Sequence, residues 1–279
     1  MKIDSHQHFW DYNPDEYPWM QGEKMSPIRR DFGPGDLERV QSKVGLDGSI
    51  AVQARQSLKE SRWLLELAAR DARIKGVVGW VDLRSESVEA ELEELSPNEK
   101  FVGVRHVVHD EPDDEFMLRP EFLRGLGKLH GYGMTYDLLL FPKHLPVAVE
   151  VVKRFPEQPF VLDHIAKPHI KDGGLSPWYK QIAELATFPN VYCKVSGMVT
   201  EAAWRAWNKR DFRPYLDVVF DAFGEDRLMF GSDWPVCLLS ADYDEVVQIV
   251  TGYLADLGAG TSEKIMGENA VRFYGVARD

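Results

Sequence analysis

Short runs of apolar and β-branched residues recur along the whole chain, and a stretch with helical spacing follows each run. The pattern predicts eight strands, which are Lys2–Phe9, Gly48–Ala54, Lys75–Asp82, Phe101–Val108, Gly133–Leu139, Pro159–His164, Asn190–Ser196 and Arg227–Asp233. Strands that alternate with helices form parallel sheets, because each helix returns the chain to the edge where the next strand begins. Eight such units predict a (β/α)8 barrel, the TIM barrel, as a single domain over residues 1–279.

Three helix starts are visible in the same pattern. Ser57 and Glu60 have the spacing of a capping box, in which the serine accepts from the third helical amide and the glutamate reaches back. Pro120 suits the first position of a helix. Ser240 precedes an apolar stripe that begins at Tyr243. These signals predict helices after the second, fourth and eighth strands, as the barrel requires.

The motifs of other architectures are missing. An open, doubly wound α/β sheet is the alternative fold, but its Gly-x-Gly-x-x-Gly turn does not follow the first strand, which runs instead into HQHFW at residues 6–10. The sequence also has no Gly-x-Ser-x-Gly nucleophile elbow, no P-loop and no Cys-x-x-Cys. We therefore favour the closed barrel and expect neither serine-nucleophile chemistry nor nucleotide-phosphate binding.

A polar, aromatic and proline-rich segment from Trp10 to Pro34 interrupts the alternation. A connection of this length in a compact domain is usually functional, and loops that follow barrel strands lie at the rim where active sites form. We expect this loop to cover the barrel mouth and the substrate. The alternative is an ordered loop that only packs its aromatic side chains on top of the barrel.

Composition narrows the choice of partners. The chain has 279 residues, 44 % of them hydrophobic, and its 33 Lys and Arg against 45 Asp and Glu give a net charge of −12. Nucleic-acid phosphates and anionic membrane surfaces attract basic proteins, so this balance argues against both partners. We expect a small-molecule partner, and a homo-oligomer is compatible with the sequence.

The cysteine content and the first residues bear on the compartment. Cys193 and Cys237 both lie in apolar stretches and are too few for a disulfide scaffold or a cysteine-rich zinc site. The start at Met1 shows no charged and apolar leader, and no run of about 18 apolar residues follows. These features predict a reducing, cytoplasmic location.

Polar side chains recur at the carboxyl ends of the predicted strands, where barrel enzymes place catalytic groups. His6 and His8 end the first strand and, being two residues apart, share a face. His164 ends the sixth strand, where the alternative is a core histidine with satisfied hydrogen bonds. Asp233 ends the eighth strand after an apolar run, where an unpartnered buried carboxylate would be costly. These four residues are the candidate catalytic groups.

Other strand ends supply candidate substrate-binding residues. Arg105 and His106 in the fourth strand suit a carboxylate, a polarised carbonyl or a hydroxyl-rich ligand, and their alternative role is a salt bridge to Asp82, Asp110 or Glu111. Aromatic faces for a sugar ring and further polar groups are offered by Trp10, Trp234, Gln53, Arg55, Asp82, Asp137 and Ser196.

Five stretches carry a family resemblance: DSHQHFW at 4–10, GVRHVVH at 103–109, DHIAKP at 163–168, YCKVSG at 192–197 and MFGSDWPVC at 229–237. Together they resemble the amidohydrolase superfamily and, within it, the sugar-acid lactonase branch of L-fuconolactonases, L-rhamnonolactonases and 2-pyrone-4,6-dicarboxylate lactonases. The resemblance covers nearly the whole chain. It implies a barrel enzyme that hydrolyses a fucono- or rhamnonolactone-like aldonolactone to the aldonic acid.

The resemblance also bears on metal. Metal-dependent members of the superfamily add a carboxylated lysine from strand four or a histidine from strand five. No lysine lies near Val104–Val108, and the fifth predicted strand ends in Tyr136 and Asp137. The resemblance therefore implies hydrolysis with no required cofactor, while a Zn²⁺ ion would still find ligands in His6, His8 and Asp233.

A mechanism follows from these roles. Asp233 takes a proton from water and returns it to the departing ring oxygen, with His164 tuning the carboxylate. The carbonyl is polarised by donors from among His6, His8, Arg105 and His106. Two alternatives stay open, a Zn²⁺-dependent decarboxylase or amide hydrolase of the same superfamily and a non-catalytic sugar-acid binding protein.

Overall fold

The structure, a computed structural model, describes residues 1–277. Eight parallel strands form one sheet in chain order: β1 (Ile3–Gln7), β2 (Gly48–Val52), β3 (Ile74–Gly79), β4 (Phe101–His106), β5 (Thr135–Leu138), β6 (Phe160–Leu162), β7 (Val191–Val195) and β8 (Leu228–Phe230). Each strand pairs with the next, which confirms the predicted barrel topology and all eight strand positions.

Helices surround the sheet and fill the connections between strands. They are α1 (Pro34–Val44), α2 (Leu58–Arg70), α3 (Val88–Leu95), α4 (Pro120–Leu126), α5 (Leu145–Arg154), α6 (Trp178–Leu185), α7 (Met198–Glu201), α8 (Lys209–Phe223), α9 (Tyr243–Leu254), α10 (Ala259–Glu263) and α11 (Asn269–Tyr274). Short 3-10 turns occupy Glu23–Ile28 in the loop after β1, Asp163–Ala166 after β6 and Val236–Leu239 after β8. Within residues 1–277, none of the helices has the length and apolar character needed to cross a membrane.

The barrel closes between β8 and β1 through residues just beyond β8. The Asp233 amide donates to the His6 carbonyl at 2.8 Å, and the His8 amide donates to the Trp234 carbonyl at 2.7 Å. These bonds continue the parallel ladder from the last strand back to the first. Closure therefore places Asp233 directly beside both histidines of the first strand.

A buried carboxylate reinforces the closure. Asp4 accepts hydrogen bonds from the amide and hydroxyl of Ser232 at 2.9 and 2.6 Å and from the Tyr243 hydroxyl at 2.9 Å. Burial raises the pKa of Asp4 to about 6, although each of these donors favours the ionised form. Asp4 thus connects β1 to the turn after β8 and to α9.

All eight strands end one to three residues earlier than predicted, and in the sixth and eighth the difference leaves a candidate catalytic residue outside the strand. The sixth and eighth were predicted to reach His164 and Asp233, but β6 ends at Leu162 and β8 at Phe230. His164 and Asp233 have φ angles of 55° and 58°, in the left-handed region. A residue in that region interrupts the extended backbone of its own strand, so both side chains turn inward at the carboxyl end of the barrel.

One predicted helix cap is wrong and another is displaced. Ser57 precedes α2 but makes no side-chain cap, and the Glu60 carboxylate instead accepts from the amides of Ala54 and Arg55 at 2.9 and 3.0 Å. The cap of α9 is Asp242 rather than Ser240. Pro120 begins α4 as predicted, and both cysteines are buried free thiols.

The closing carboxylate leads to the first prediction. Replacing Asp4→Asn turns one acceptor oxygen into an NH2 group that faces O–H and N–H donors. We expect the free energy of unfolding to fall by about 2 kcal/mol, because buried donors then lose their partners. Chemical denaturation measures this loss. The exposed Asp47→Asn is the matched control, with an expected change below about 0.5 kcal/mol, and equal losses in the two variants would contradict the role given to Asp4.

Candidate functional site

A cavity of about 810 Å³ opens at the carboxyl ends of the strands. His8, Arg105, His164 and Asp233 belong to its lining. The loop after β1 contributes Asp15, Glu16, Pro18, Trp19 and Met25. The predicted position of this loop at the barrel mouth is therefore confirmed, and the cavity is the candidate functional site.

Three imidazoles surround the Asp233 carboxylate. Its Oδ1 atom lies 3.3 Å from His8 Nε2, 3.8 Å from His164 Nε2 and 3.9 Å from His6 Nε2. The centre of the His6 ring lies 4.9 Å from the centre of the His8 ring and 4.4 Å from the centre of the His164 ring. The sequence placed these four groups at three separate strand ends, and the barrel brings them into one cluster.

The hydrogen bond of His8 Nδ1 determines which ring nitrogen presents its lone pair to the Asp233 carboxylate. His8 Nδ1 lies 2.8 Å from the Val52 carbonyl, which only accepts, so Nδ1 carries the hydrogen. The Nε2 lone pair of a neutral His8 would then point at Asp233 Oδ1. Two acceptors at this distance repel each other unless a proton or a cation lies between them. Carbonyl support of Nδ1 is also the usual arrangement of metal-binding histidines.

His6 is oriented by charged groups beneath it. Arg105 has no lone pair, so its NH1 donates to His6 Nε2 at 3.1 Å, while the Nζ of Lys194, also a donor only, lies 3.1 Å from His6 Nδ1. That nitrogen lies 3.2 Å from Asp163 Oδ1. The same Arg105 atom donates to Asp163 Oδ2 at 3.0 Å. Arg105 and Asp163 together hold the His6 ring against Asp233.

A buried lysine extends this network through the barrel interior. Lys194 Nζ lies 2.5 Å from Asp137 Oδ2 and 3.0 Å from Asp163 Oδ1, and the Tyr274 hydroxyl donates to Asp137 at 2.9 Å. Burial raises the pKa of Asp137 to about 6. Burial acts in the same sense on Asp163, but Lys194 and His6 outweigh it and hold the pKa of Asp163 well below its usual range.

An unusual backbone positions His164. Residues 164–167 all have φ between 48° and 60°, although none is glycine. Such angles cost about 1–3 kcal/mol each and persist only where the surroundings impose them. His164 Nδ1 lies 2.9 Å from Ser196 Oγ. A Cβ atom on Gly197 would lie 2.5 Å from the His164 ring, so only glycine leaves room for this side chain.

The protonation states of the cluster follow from its burial. Burial lowers the pKa of His6 and of His164 well below the ordinary value of 6.5, so both rings are neutral near pH 7. For Asp233, burial raises the pKa, but the combined effects of His164 and of the hydrogen bond to His8 are larger, and the net pKa is lowered. The site therefore holds an ionised carboxylate beside the neutral imidazoles of His6 and His164.

The structure places the predicted site residues at different depths. His8, Arg55, Arg105, His164 and Asp233 line the cavity. His6 is buried beneath them and reaches the site through Asp233, and the Ser196 hydroxyl supports His164 from behind. Gln53 is buried, and its amide donates to the Arg105 carbonyl at 3.2 Å.

The two tryptophans lie away from the cavity. The Trp10 side chain is fully buried, and its Nε1 donates to the carbonyls of Ile28 and Arg30 at 3.2 and 2.9 Å. Trp234 is buried against the edges of Phe9 and Phe32. Both rings fasten the loop after β1 to the barrel. The expected stacking on a sugar ring is corrected accordingly, because neither face is open to a ligand.

Three other candidates have partners within the protein and lie outside the cavity lining. His106 Nε2 lies 2.7 Å from Glu111 Oε1, one of its predicted alternative partners, and its ring stacks on Phe116, so this side chain is engaged within the protein rather than open to a substrate. Asp82 pairs with Arg84 at 3.0 Å. Asp137 belongs to the buried lysine network. Their expected substrate contacts are not supported by these positions.

Sequence reasoning did not single out several residues that line the cavity. Lys167 and Glu201 form an ion pair at 3.0 Å, and Glu16 pairs with Arg55 at 2.9 Å. Lys167 falls within the DHIAKP stretch, so that motif carried a usable signal. Glu16 and Glu201 lie in a loop and at the end of a short helix, where no periodicity marks them.

Comparison with known proteins assigns the class. Residues 3–276 match the family model described as Amidohydrolase, and the chain belongs to this family. It is 42 % identical to the L-fucono-1,5-lactonase of Burkholderia multivorans, over 98 % of this chain and 96 % of that protein. It is 35 % identical to the L-fucono-1,5-lactonase of Burkholderia ambifaria, over 99 % and 96 %. These matches confirm the resemblance drawn from the motifs.

A solved structure shows the same architecture. The amidohydrolase of Burkholderia multivorans with bound zinc superposes with a TM-score of 0.95 at 42 % identity, covering 99 % of this chain and 100 % of the other. In the present chain, ligand atoms of His6, His8 and Asp233 lie within 4.8 Å of one another. Imidazole nitrogens and a carboxylate oxygen are zinc ligands, and the His8 lone pair faces the carboxylate. The residues therefore fit a zinc ion.

The close approach at Gly197 leads to a second prediction. Gly197→Ala places a methyl group at φ +61° and 2.5 Å from the His164 ring, whereas Gly173→Ala has a similar φ of +68° and nothing within 4 Å. Both variants should lose about 1 kcal/mol from the backbone alone. We expect Gly197→Ala to lose roughly 1–3 kcal/mol more through overpacking. Denaturant unfolding of the pair isolates the clash, and equal losses would argue against it.

Proposed function

We propose that this protein hydrolyses a sugar lactone of the L-fucono-1,5-lactone kind to the corresponding aldonate. The observation that carries the proposal is the Asp233 carboxylate beside two imidazoles in the cavity, in a chain 42 % identical to an L-fucono-1,5-lactonase over nearly its full length. A lactone carbonyl is already electrophilic, so hydrolysis needs a positioned water, a base and a stabiliser for the oxyanion. Asp233 is suited to be the base that orients the water, and the imidazoles are suited to stabilise the oxyanion.

Asp233 is the base in this proposal. Its lowered pKa keeps it ionised near neutral pH, so it can take a proton from the water that attacks the carbonyl carbon. The ring carbon–oxygen bond then breaks, and the ring oxygen takes up the proton that Asp233 holds. Water and lactone are thereby converted to the open hydroxy acid, and Asp233 returns to its ionised form.

Two histidines are suited to stabilise the oxyanion. With Ser196 donating to Nδ1, neutral His164 carries its hydrogen on Nε2, which points toward the cavity and can donate to the carbonyl oxygen. His8 donates in the same way only when a proton is on Nε2, since Nδ1 is committed to Val52. One such donor contributes on the order of 10²–10³ in rate. His6 and Arg105 act from below by holding the ring positions.

A zinc ion would be held by the remaining lone pairs of the cluster, those of His6, His8 and Asp233. When bound, it would supply a Lewis acid that polarises the carbonyl oxygen. The His6 lone pair already accepts from Arg105, so the ion would compete with this bond. We propose that zinc binds here without being required for lactone opening.

The proposal extends to the setting of the enzyme. A small-molecule lactone fits the cavity, and the net charge of −12 argues against nucleic-acid and membrane partners. Two buried free thiols are compatible with the reducing conditions of the cytoplasm. We therefore propose a cytoplasmic enzyme of sugar-acid metabolism.

Removing the base is the direct test. Asp233→Asn should lower kcat for L-fucono-1,5-lactone by at least about 10³-fold, since both the base and the proton carrier are lost. For the wild-type protein, kcat/KM should fall only in acid, below roughly pH 4, because the pKa of Asp233 is lowered from 3.8. Proton release in weakly buffered solution measures both. Asp221→Asn on the exposed face of α8 is the control, and full activity in Asp233→Asn would refute the assignment.

The metal has its own prediction. Lactone opening should survive treatment with a strong chelator, while added Zn²⁺ should raise the melting temperature of the wild-type protein by binding the native state. His8→Ala should lose most of this stabilisation. A chelated protein that regains activity only with Zn²⁺ would contradict the proposal and favour a metal-dependent amide hydrolase or decarboxylase.

A further inference from the structure

Lactone hydrolysis changes the charge of the ligand. Water adds to a neutral lactone, the ring ester bond breaks, and the hydroxy acid that forms has an ordinary carboxyl pKa, near 3.5–4. At neutral pH the product is therefore a carboxylate and a free proton. An enzyme with a cavity that attracts carboxylates would retain its product, so the charges of the cavity lining decide how readily the product leaves.

Acidic side chains outnumber basic ones along the cavity. The acidic lining residues are Asp15, Glu16, Asp110, Glu111, Glu201 and Asp233, against the basic residues Arg55, Arg105 and Lys167. Asp110 and Glu111 have histidine partners, His109 at 2.9 Å and His106 at 2.7 Å. Burial lowers the pKa of His106, so this ring leaves the charge of Glu111 uncompensated near neutral pH.

Each of the three cations is already paired with a carboxylate. Arg105 binds Asp163 at 3.0 Å in the barrel interior, and Lys167 binds Glu201 at 3.0 Å. Arg55 binds Glu16 at 2.9 Å. Among the lining residues that the structure describes, no lysine or arginine thus remains without a carboxylate partner. A ligand carboxylate would therefore have to share a cation that already has a carboxylate partner.

From this pairing we infer that Glu201, with Glu16 in a lesser role, is a specificity-determining residue that keeps the cavity closed to anions. The inference rests on the proposed function and names its substrate class, uncharged lactones rather than lactones that carry a carboxylate or sulfonate. By neutralising Lys167 and Arg55, the two glutamates also favour departure of the aldonate. The acidic cavity does not oppose binding of an uncharged lactone, but it repels the aldonate anion that forms from it.

Glu201 has the larger role because of its surroundings. Its one ion-pair partner in the described part of the chain is Lys167, and both side chains are largely buried at the cavity wall. Glu16 also contacts Lys59 at 2.8 Å, and Lys59 points outward and is 75 % exposed. If the charge of Glu16 is removed, Arg55 still lies 3.8 Å from Glu60, and Lys59 is screened by solvent.

The test measures inhibition by the product. L-Fuconate and its uncharged counterpart L-fucitol are compared as inhibitors of L-fucono-1,5-lactone opening, in the wild-type protein, Glu201→Gln and Glu16→Gln. We expect Glu201→Gln to tighten inhibition by fuconate roughly three- to tenfold, because a full charge is removed next to Lys167. Inhibition by fucitol should change by less than about twofold, and the difference should shrink at high salt.

The control removes an equivalent ion pair elsewhere. Glu94→Gln breaks a salt bridge to Arg62 at 2.6 Å that lies outside the cavity, so fuconate inhibition should stay at the wild-type value. Unchanged or weaker fuconate inhibition in Glu201→Gln, together with normal lactone opening, would overturn the inference. Absence of lactone opening by the wild-type protein would instead count against the proposed function.

Discussion

The site depends on the contacts that the buried Asp163 carboxylate makes with three basic side chains. Arg105 from β4 donates to one of its oxygens, while Lys194 from β7 and His6 from β1 lie within 3.2 Å of the other. Three strands are thereby linked across the barrel by one buried acid. Buried ion pairs of this kind contribute little net stability, because the cost of removing charges from water offsets their attraction. Their effect is geometric, since only one arrangement satisfies every partner. The His6 ring is fixed in this way, and the cavity groups are built above it.

Backbone strain at the barrel rim gives the site its second constraint. The left-handed residues that follow β6 direct His164 toward Asp233 and Lys167 toward the cavity. Asp233 itself is left-handed, and its amide closes the barrel to His6. The same backbone turn therefore completes the sheet and delivers the carboxylate. Strain at several adjacent residues is sustained because closure, the packing against Gly197 and the buried ion network all act on the same few positions.

The electrostatics of the site divide into two layers. In the barrel interior, Lys194 and Arg105 balance Asp137 and Asp163, so the charges under the site nearly cancel. Around the cavity the balance is acidic, and every cation already has a partner. Asp233 lies between these layers, ionised and close to the neutral ring of His164. A neutral ligand meets no opposing charge on entering, whereas an anion formed beside Asp233 is repelled by it and by the glutamates along the wall.

The sequence by itself determined the barrel, because the alternation of apolar strands and amphipathic helices is a local, repeated signal. It also singled out His6, His8, His164 and Asp233 as candidates, because polar residues at the ends of apolar strands stand out, and the structure brings these four side chains together. The tertiary structure alone decided which partners these groups have. Asp163 meets Arg105 and His6 from positions 58 and 157 residues away in the chain, counted as 163 − 105 and 163 − 6, and no local pattern records such pairs.

The same dependence on tertiary partners explains why some residues do not have the role that the sequence predicted for them. Trp10 and His106 are as aromatic and polar as a substrate-binding residue should be, but packing against Phe32 and Phe116 turns them away from the cavity. Glu201 and Glu16 carry no sequence signal, yet they set the charge of the cavity by pairing with distant cations. Residue type and periodicity predict at which strand end a residue lies. Its partners depend on how strands far apart in the chain are brought together, which only the closed barrel determines.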